Sequence, residues 1–182
     1  MTVITADSNE HLAAAVEQAI AGDEMAFARI VAAHQDDLAR VCFVVTRDPE
    51  LAQDAVQEAW ALAWRHLPRL RDRARLRPWL VAIAANQARQ VARRSRRRTI
   101  VEIGVADDSR GADNAVGEGW AHDLDLRNAL ARLSPDDRAL LALRYVAGFD
   151  STELARFSGL SPSGTRARLA RLLAVLRKEL DR

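Results

Sequence analysis

Two groups of arginines in this chain have the spacing that contacts with a nucleic acid require. In the segment after Pro78, polar residues at helical spacing share one stripe: Asn86, Arg89, Gln90, Arg93 and Arg97. Guanidinium groups bind phosphates, and an amide beside them can read the edge of an exposed base. The stripe therefore predicts contacts with the backbone and bases of a nucleic acid, although arginine runs are often only solvated.

The second group lies on a helix predicted to begin at Ser161-Pro162. Opposite an apolar leucine stripe lie Ser163, Arg166, Ala167, Ala170 and Arg171. Small residues let a helix backbone approach the floor of a groove, and arginines near its start can reach base edges or phosphates. With the capping-box spacing of Asp150 and Glu153 before it, the pattern predicts a helix-turn-helix. A plain helical hairpin with a solvated basic face is the alternative.

The charge of the chain alternates in sign along four segments. Residues 1–64 hold 3 basic and 11 acidic side chains, and residues 65–98 hold twelve arginines and one aspartate. Residues 99–126 hold one basic and seven acidic side chains, and residues 127–182 hold 11 basic and 6 acidic ones. The net charge of +2 therefore hides two basic modules. Such modules attract polyanions by releasing counterions, and two of them suggest two contacts on one nucleic acid.

The elements that carry these residues are predicted to be helices throughout. Apolar residues recur at three-and-four spacing, and no segment alternates every second residue, which indicates an all-α fold. Asp48-Pro49 and Ser134-Pro135 each place a capping oxygen before a proline suited to the first helical position, and Pro78 is expected to open a further helix.

The chain is expected to form two small helical domains, because 182 residues can bury one or two small cores. Glycines and acidic residues replace the apolar periodicity in the middle of the chain, which predicts a flexible acidic linker. The expected parts are an N-terminal helical extension (1–24), a first domain (25–98), the linker (99–124) and a second domain (125–182).

No group of residues suggests an active site, a metal site or a cofactor. The chain has no paired carboxylates or nucleophile constellation, and its four histidines are scattered along the sequence. Cys42 is the only cysteine and lies in an apolar run, so a buried thiol is expected. The acidic start does not resemble a secretory signal, and no apolar run is long enough to span a membrane. A cytoplasmic protein without membrane insertion is expected.

The helix predicted from Pro49 to about Leu67 carries an acidic stripe that includes Asp54, Gln57 and Glu58. An acidic face does not suit DNA. It is either solvated or a docking surface for a basic protein partner.

These motifs together resemble one family, the extracytoplasmic-function (ECF) subgroup of the sigma-70 family. The part that resembles sigma region 2 comprises the run from Asp48 to Glu58, Trp64, Pro78-Trp79-Leu80, Ile83-Ala84 and Asn86. The part that resembles region 4 comprises Leu133-Ser134, Arg144-Tyr145, Gly148-Phe149, Glu153-Leu154-Ala155, Gly159-Leu160-Ser161 and Arg168-Leu169-Ala170-Arg171. The resemblance implies a sigma factor that binds core RNA polymerase and directs promoter recognition, DNA opening and transcription initiation. It also implies promoter DNA and an anti-sigma factor as partners.

The resemblance also implies roles for particular residues. Asp54, Gln57 and Glu58 would dock on core polymerase, and Asn86 would stand at the base-reading position for the single-stranded minus-ten element. The other minus-ten residues would be Arg71, Arg73, Arg75, Leu76, Arg89, Gln90, Arg93 and Arg97, with Leu76 where the family usually has an aromatic residue. The residues entering the minus-thirty-five major groove would be Ser163, Gly164, Thr165, Arg166, Ala167, Arg168, Ala170 and Arg171.

Two other functions are alternatives. An autonomous helix-turn-helix repressor or activator would need a self-dimerising surface and would bind duplex DNA without polymerase. An enzyme acting on nucleic acid would need an active site, for which the sequence offers no candidate.

Overall fold

The described part of the structure, a computed structural model, comprises residues 6–103 and 124–180. These residues form eight α-helices and no strand, so the prediction of an all-α fold is confirmed. The helices are α1 (Ala6–Ile20), α2 (Glu24–Thr46), α3 (Pro49–His66), α4 (Leu76–Ile103), α5 (Leu124–Ala131), α6 (Pro135–Tyr145), α7 (Ser151–Ser158) and α8 (Pro162–Leu180). Two short 3-10 turns, Leu67–Arg69 and Arg73–Arg75, join α3 to α4.

The helix starts follow the predicted caps, with one exception. The side chain of Asp48 accepts a hydrogen bond from the backbone N–H of Leu51, and Asp150 forms a complete capping box with Glu153. The exception is α4, which begins at Leu76 rather than at Pro78. A proline fits there because the first turn of a helix leaves its backbone N–H groups without intrahelical partners.

The predicted linker overlaps the end of α4, which continues to Ile103, and the start of α5 at Leu124. Residues 104–123 of that linker lie outside the described residues.

In the first domain α2, α3 and α4 pack on one another, and α1 packs on α2. Many of the buried positions on these helices are alanines, among them Ala55, Ala59, Ala84 and Ala88. On the outside of α2, the Phe27 ring lies 5.9 Å from the Trp60 ring and 4.8 Å from the Trp64 ring. Cys42 is fully buried, as expected, and this burial raises the pKa of its thiol to about 12.

The second domain contains the predicted helix-turn-helix, formed by α7 and α8. Gly159 ends α7 with a φ of 71°, a left-handed conformation that costs glycine no steric penalty. The leucine stripe of α8 faces inward, with Leu169 and Leu172 buried. The helix before this pair, α6, contributes Leu140, Leu141 and Leu143 to the core and ends at Tyr145. The three leucines are buried, but Tyr145 is 60% exposed.

The largest departure from expectation is the position of α6. The sequence predicted two helical domains joined by a flexible linker, with one or two small cores, and α6 belongs to the second domain. In the structure α6 packs chiefly against α2 and α4 of the first domain. One continuous apolar cluster therefore includes side chains of both domains. This contact brings the two predicted DNA-binding surfaces together.

Candidate nucleic-acid interface

The outer side of α8 agrees with the sequence pattern. The side chains placed opposite the leucine stripe are all exposed: Ser163, Arg166, Ala167, Ala170 and Arg171. Neither Arg166 nor Arg171 forms an ion pair with another residue of the described ranges. An exposed helix face with small side chains and unpaired guanidinium groups can enter a major groove without first breaking internal contacts.

Three other residues of the predicted minus-thirty-five set hold the helix in place. Thr165 is fully buried, and its hydroxyl donates to the backbone carbonyl of Ser161 at 3.0 Å. The backbone N–H of Gly164 donates to the Ser161 side chain at 3.1 Å. Arg168 donates through Nε to Oδ1 of Asp137 at 2.7 Å. Thr165 is therefore unavailable for direct contact with DNA in this arrangement, and Arg168 is tied to α6.

The predicted minus-ten residues of the first domain are more varied. Arg71, Gln90 and Arg97 are exposed, whereas Asn86 is half-buried and accepts a hydrogen bond from Arg89 Nη2 at 3.0 Å. Leu76 is only 4% exposed and belongs to the core. Its aliphatic side chain packs in the apolar cluster of the core, so it offers no surface to a flipped base in this arrangement.

Most arginines of this surface already have an acidic partner. Arg73 pairs with Glu17 of α1 at 2.8 Å, and Arg75 pairs with Glu153 of α7. Two further arginines pair with one residue at the start of α6: Arg89 and Arg93 lie 3.4 and 2.5 Å from the carboxylate oxygens of Asp136. No local sequence pattern predicts these pairs, because Asp136 and Glu153 each lie in the first turn of a helix, where acidic residues are common in any case.

The acidic stripe of α3 lies where the sequence placed it. Asp54, Gln57 and Glu58 are exposed, and Glu58 Oε2 lies 3.0 Å from Arg94 Nη2 of α4. Beside the stripe is an open groove of about 420 Å³ between α2 and α3, which no sequence pattern predicted. Its apolar lining includes Phe43, Val56 and Trp60. The combination of acidic edge and apolar groove suits a protein partner better than DNA.

The described ranges contain no cluster of side chains that could hold a metal ion. None of their helices is long and apolar enough to cross a membrane. His34 is buried on α2 with no hydrogen-bond partner at Nε2 among the described residues. Its burial lowers the pKa of its imidazole, an effect that Arg77 reinforces and Asp37 opposes.

Comparison with known families and proteins agrees with this division into two modules. Residues 30–98 match the family model of sigma-70 region 2, and residues 123–176 match that of sigma-70 region 4. The ECF RNA polymerase sigma factor SigL of Mycobacterium tuberculosis is 30% identical over 152 residues, which cover 81% of this chain and 85% of SigL. The probable RNA polymerase sigma factor RfaY of Xanthomonas campestris pv. campestris is 32% identical over 168 residues, 89% of this chain. The chain spans only 42% of the length of RfaY.

A solved structure shows the same fold. The sigma factor RpoE of Bartonella quintana, determined in complex with the anti-sigma factor NepR, matches with a TM-score of 0.70 over 85% of this chain and 96% of that one, at 23% identity. With both modules matched and the helix-turn-helix in place, this chain belongs to the extracytoplasmic-function subgroup of the sigma-70 family of RNA polymerase sigma factors.

Proposed function

We propose that the two domains of this sigma factor divide promoter recognition between them. The first domain, approximately residues 25–98, binds the single-stranded minus-ten element, and the second, residues 125–182, binds the minus-thirty-five element as duplex. The observation that carries the proposal is the outer face of α8. There Arg166 and Arg171 flank the small residues Ala167 and Ala170 on the exposed side of a helix-turn-helix.

The minus-ten assignment concerns the arginine-rich face of α4. Asn86 is held by Arg89, and Gln90 and Arg97 are exposed beside it. An amide in a fixed position can read a base edge, while guanidinium groups follow the phosphates of a single strand. Leu76 and Thr165 are left out of the proposed contacts because both are buried.

The proposed polymerase contact is the acidic stripe of α3. Its three residues, Asp54, Gln57 and Glu58, are exposed and lie beside an apolar groove, so a basic protein surface could cover both. Catalysis then belongs to the polymerase. The family consists of initiation factors rather than enzymes, and we infer that this chain has no catalytic activity of its own. Because the polymerase works in the bacterial cytoplasm, we also place this chain there.

An anti-sigma factor is a further proposed partner, since the structurally similar RpoE of Bartonella quintana binds one. Pull-down with the full chain as bait, followed by a transcription assay with the captured protein, tests this. A captured protein that leaves initiation unchanged would count against it.

The experiment that tests docking is charge reversal of the stripe. The double variant Asp54→Lys/Glu58→Lys should lose association with purified core polymerase and run-off transcription, while its helicity stays unchanged because exposed charges contribute little to folding. The matched control is Glu24→Lys/Asp36→Lys, which reverses two exposed acidic residues of α2. Equal polymerase binding by both double variants would refute the assignment.

A further inference from the structure

The helix α6 is buried on two sides. Six consecutive residues, from Arg138 to Leu143, are each no more than 6% exposed. A helix on the surface of a domain has an exposed stripe on every turn, so an uninterrupted run of buried positions requires cover from two directions. The first domain supplies α2 and α4 on one side, and the second domain supplies α7 and α8 on the other.

Arg138 of α6 forms hydrogen bonds to both domains. Its Nε donates to the carbonyl of Val45 at 2.8 Å, near the end of α2, and its Nη1 donates to the carbonyl of Leu133 at 2.5 Å, just after α5. Carbonyls at helix C-terminal ends lack intrahelical partners and carry partial negative charge, so a guanidinium satisfies them well. One buried side chain thus links the ends of two helices from different domains.

Around this contact, the second domain covers the proposed minus-ten surface. Asp136 pairs with Arg89 and Arg93, and Glu153 pairs with Arg75. Two aromatic rings of the second domain lie against the same guanidinium groups, with Phe157 4.7 Å from Arg89 and Phe149 6.0 Å from Arg75. These contacts occupy the guanidinium groups that would otherwise bind the phosphates of a DNA strand.

The arrangement also places the two promoter-reading modules too close together for a promoter. Arg93 of α4 and Arg168 of α8 line the same cavity, whose volume is about 130 Å³. The minus-ten and minus-thirty-five elements lie roughly 80 Å apart on B-DNA, since each base pair rises about 3.4 Å. The domains must therefore separate before one molecule can bind both elements.

We propose that the free chain is autoinhibited, with α6 and α7 acting as an internal substitute for promoter DNA on the minus-ten surface. The carboxylates of Asp136 and Glu153 occupy the guanidinium groups of Arg75, Arg89 and Arg93, and a single DNA strand must displace them. This inference rests on the proposed function, because it takes that surface to be the one that binds the minus-ten element.

The strength of the contacts suits a reversible block. The Arg93 and Asp136 side chains are 53% and 30% exposed, so solvent and salt weaken this ion pair. A phosphate backbone offers the same arginines a row of acceptors and releases counterions as it binds. A single DNA strand can therefore displace the carboxylates from these arginines, whereas without DNA the two domains stay in contact.

The closed state can be measured as a distance in the full chain. Spin labels at Ala61→Cys on α3 and Ala174→Cys on α8, both exposed positions, report the separation of the domains in a Cys42→Ala background. With the interface unmodified, the distance between the two spin labels should be short and narrowly distributed. The variant Asp136→Asn/Glu153→Gln should shift part of the population to longer, broader distances; glutamine at position 153 keeps a capping acceptor for α7. The matched control Asp36→Asn/Glu24→Gln should keep the short distance. A broad distribution in the parent chain would overturn the proposal.

Competition is tested by binding a fluorescein-labelled single-stranded oligonucleotide to the same proteins. Both double variants lose two negative charges, so a general effect of charge cancels. Asp136→Asn/Glu153→Gln should bind about tenfold more tightly than the control, the order expected for loss of three partly exposed ion pairs. Equal affinities would overturn the proposal.

Run-off transcription separates this result from the proposed function. A chain that closes and competes with DNA, yet directs no initiation with core polymerase, would support the closed state and contradict the sigma-factor assignments of its surfaces. A chain that initiates transcription normally but shows no short distance between the spin labels would support the sigma-factor assignments and contradict the closed state.

Discussion

The two basic surfaces of this sigma factor differ in how their arginines are held. On α8, Arg166 and Arg171 are exposed and form no ion pair within the described ranges. On the first domain, Arg75, Arg89 and Arg93 pair with carboxylates of α6 and α7. The surface proposed for the minus-thirty-five element is therefore ready to bind, whereas the surface proposed for the minus-ten element must first exchange its partners.

This difference matches the form of DNA that each surface is proposed to bind. Duplex exists before polymerase acts, so an open recognition surface on α8 can be used at once. Single-stranded DNA appears only after the duplex opens, at about 1.4 kcal/mol per base-pair step. A covered single-strand surface keeps the free chain from binding unrelated strands. Substitutions on either surface test this difference.

The largest effect should come from Arg138, which links the domains. Arg138→Met keeps much of the side-chain length but removes its charged hydrogen bonds, and the buried carbonyls of Val45 and Leu133 lose a donor. We expect the free energy of unfolding to fall by about 3 kcal/mol, since hydrogen bonds to charged groups contribute about 1.5–3 kcal/mol. Urea denaturation measures it. The control Arg132→Met removes an arginine that is 60% exposed and should cost less than about 0.5 kcal/mol. Equal losses in both variants would show that Arg138 is not the link.

The second effect concerns the free surface. Arg166→Ala or Arg171→Ala should relax base preference at particular minus-thirty-five positions by about 1–3 kcal/mol, the value of a good bidentate contact. Transcription from a promoter library randomised in both elements measures this. The control Arg177→Ala lies near the far end of α8, and is also exposed. A shift confined to the minus-ten element would break the proposed division between the domains.

The sequence alone was sufficient to predict an all-α chain and several of its helix caps, although not the start of α4. Asp48, Ser134 and Asp150 act within three residues of their own positions, so a local pattern contains all the information their roles need. The outward face of α8 was predicted for the same reason, because the leucine stripe on its inner side fixes the orientation of the helix.

The contact between the domains could not be read in this way. Asp136 and Arg93 are 43 residues apart, and neither has a pattern that indicates the other. The family resemblance implied that Leu76 and Thr165 contact DNA, but both are buried. A motif cannot predict this, because burial depends on which other residues pack over a side chain. The apolar side of α6 was visible in the sequence; which domain would cover it was not.

A smaller effect distinguishes paired from unpaired arginines on the first domain. Arg93→Ala and Arg97→Ala should each weaken binding of a single-stranded oligonucleotide without regard to sequence, and each should reduce the salt slope by about 0.7. Arg93→Ala should lose less affinity, because it also releases Asp136 and so weakens the closed state. Titrations at several salt concentrations measure both quantities. Identical losses would mean that the pair with Asp136 does not compete with DNA.

The smallest effect is a pH dependence that belongs to the first domain. Burial of His34 lowers the pKa of its imidazole below the ordinary value of about 6.5 that it regains on unfolding, with Arg77 adding to this and Asp37 opposing it. Between the lowered folded pKa and 6.5 the unfolded chain binds more protons, so acid favours unfolding. The stability contribution of neutral His34 is complete above about pH 6.5 and is lost as the pH falls.

The variant His34→Gln removes this group while keeping a polar side chain of similar size. Urea denaturation of the parent chain at pH 7.5 and 5.5 should show a loss of stability at the lower pH, and His34→Gln should show a smaller loss. The pH effect should also be confined to the first domain. Because His34 and Asp37 lie on α2, and Asp37 pairs with Arg77 at 2.7 Å, acid should act on the first domain. Binding of minus-thirty-five duplex by α8 should then change equally with pH in the parent chain and in His34→Gln. If the pH dependence of duplex binding differed between the parent chain and His34→Gln, protonation in the first domain would be shown to affect the surface of α8.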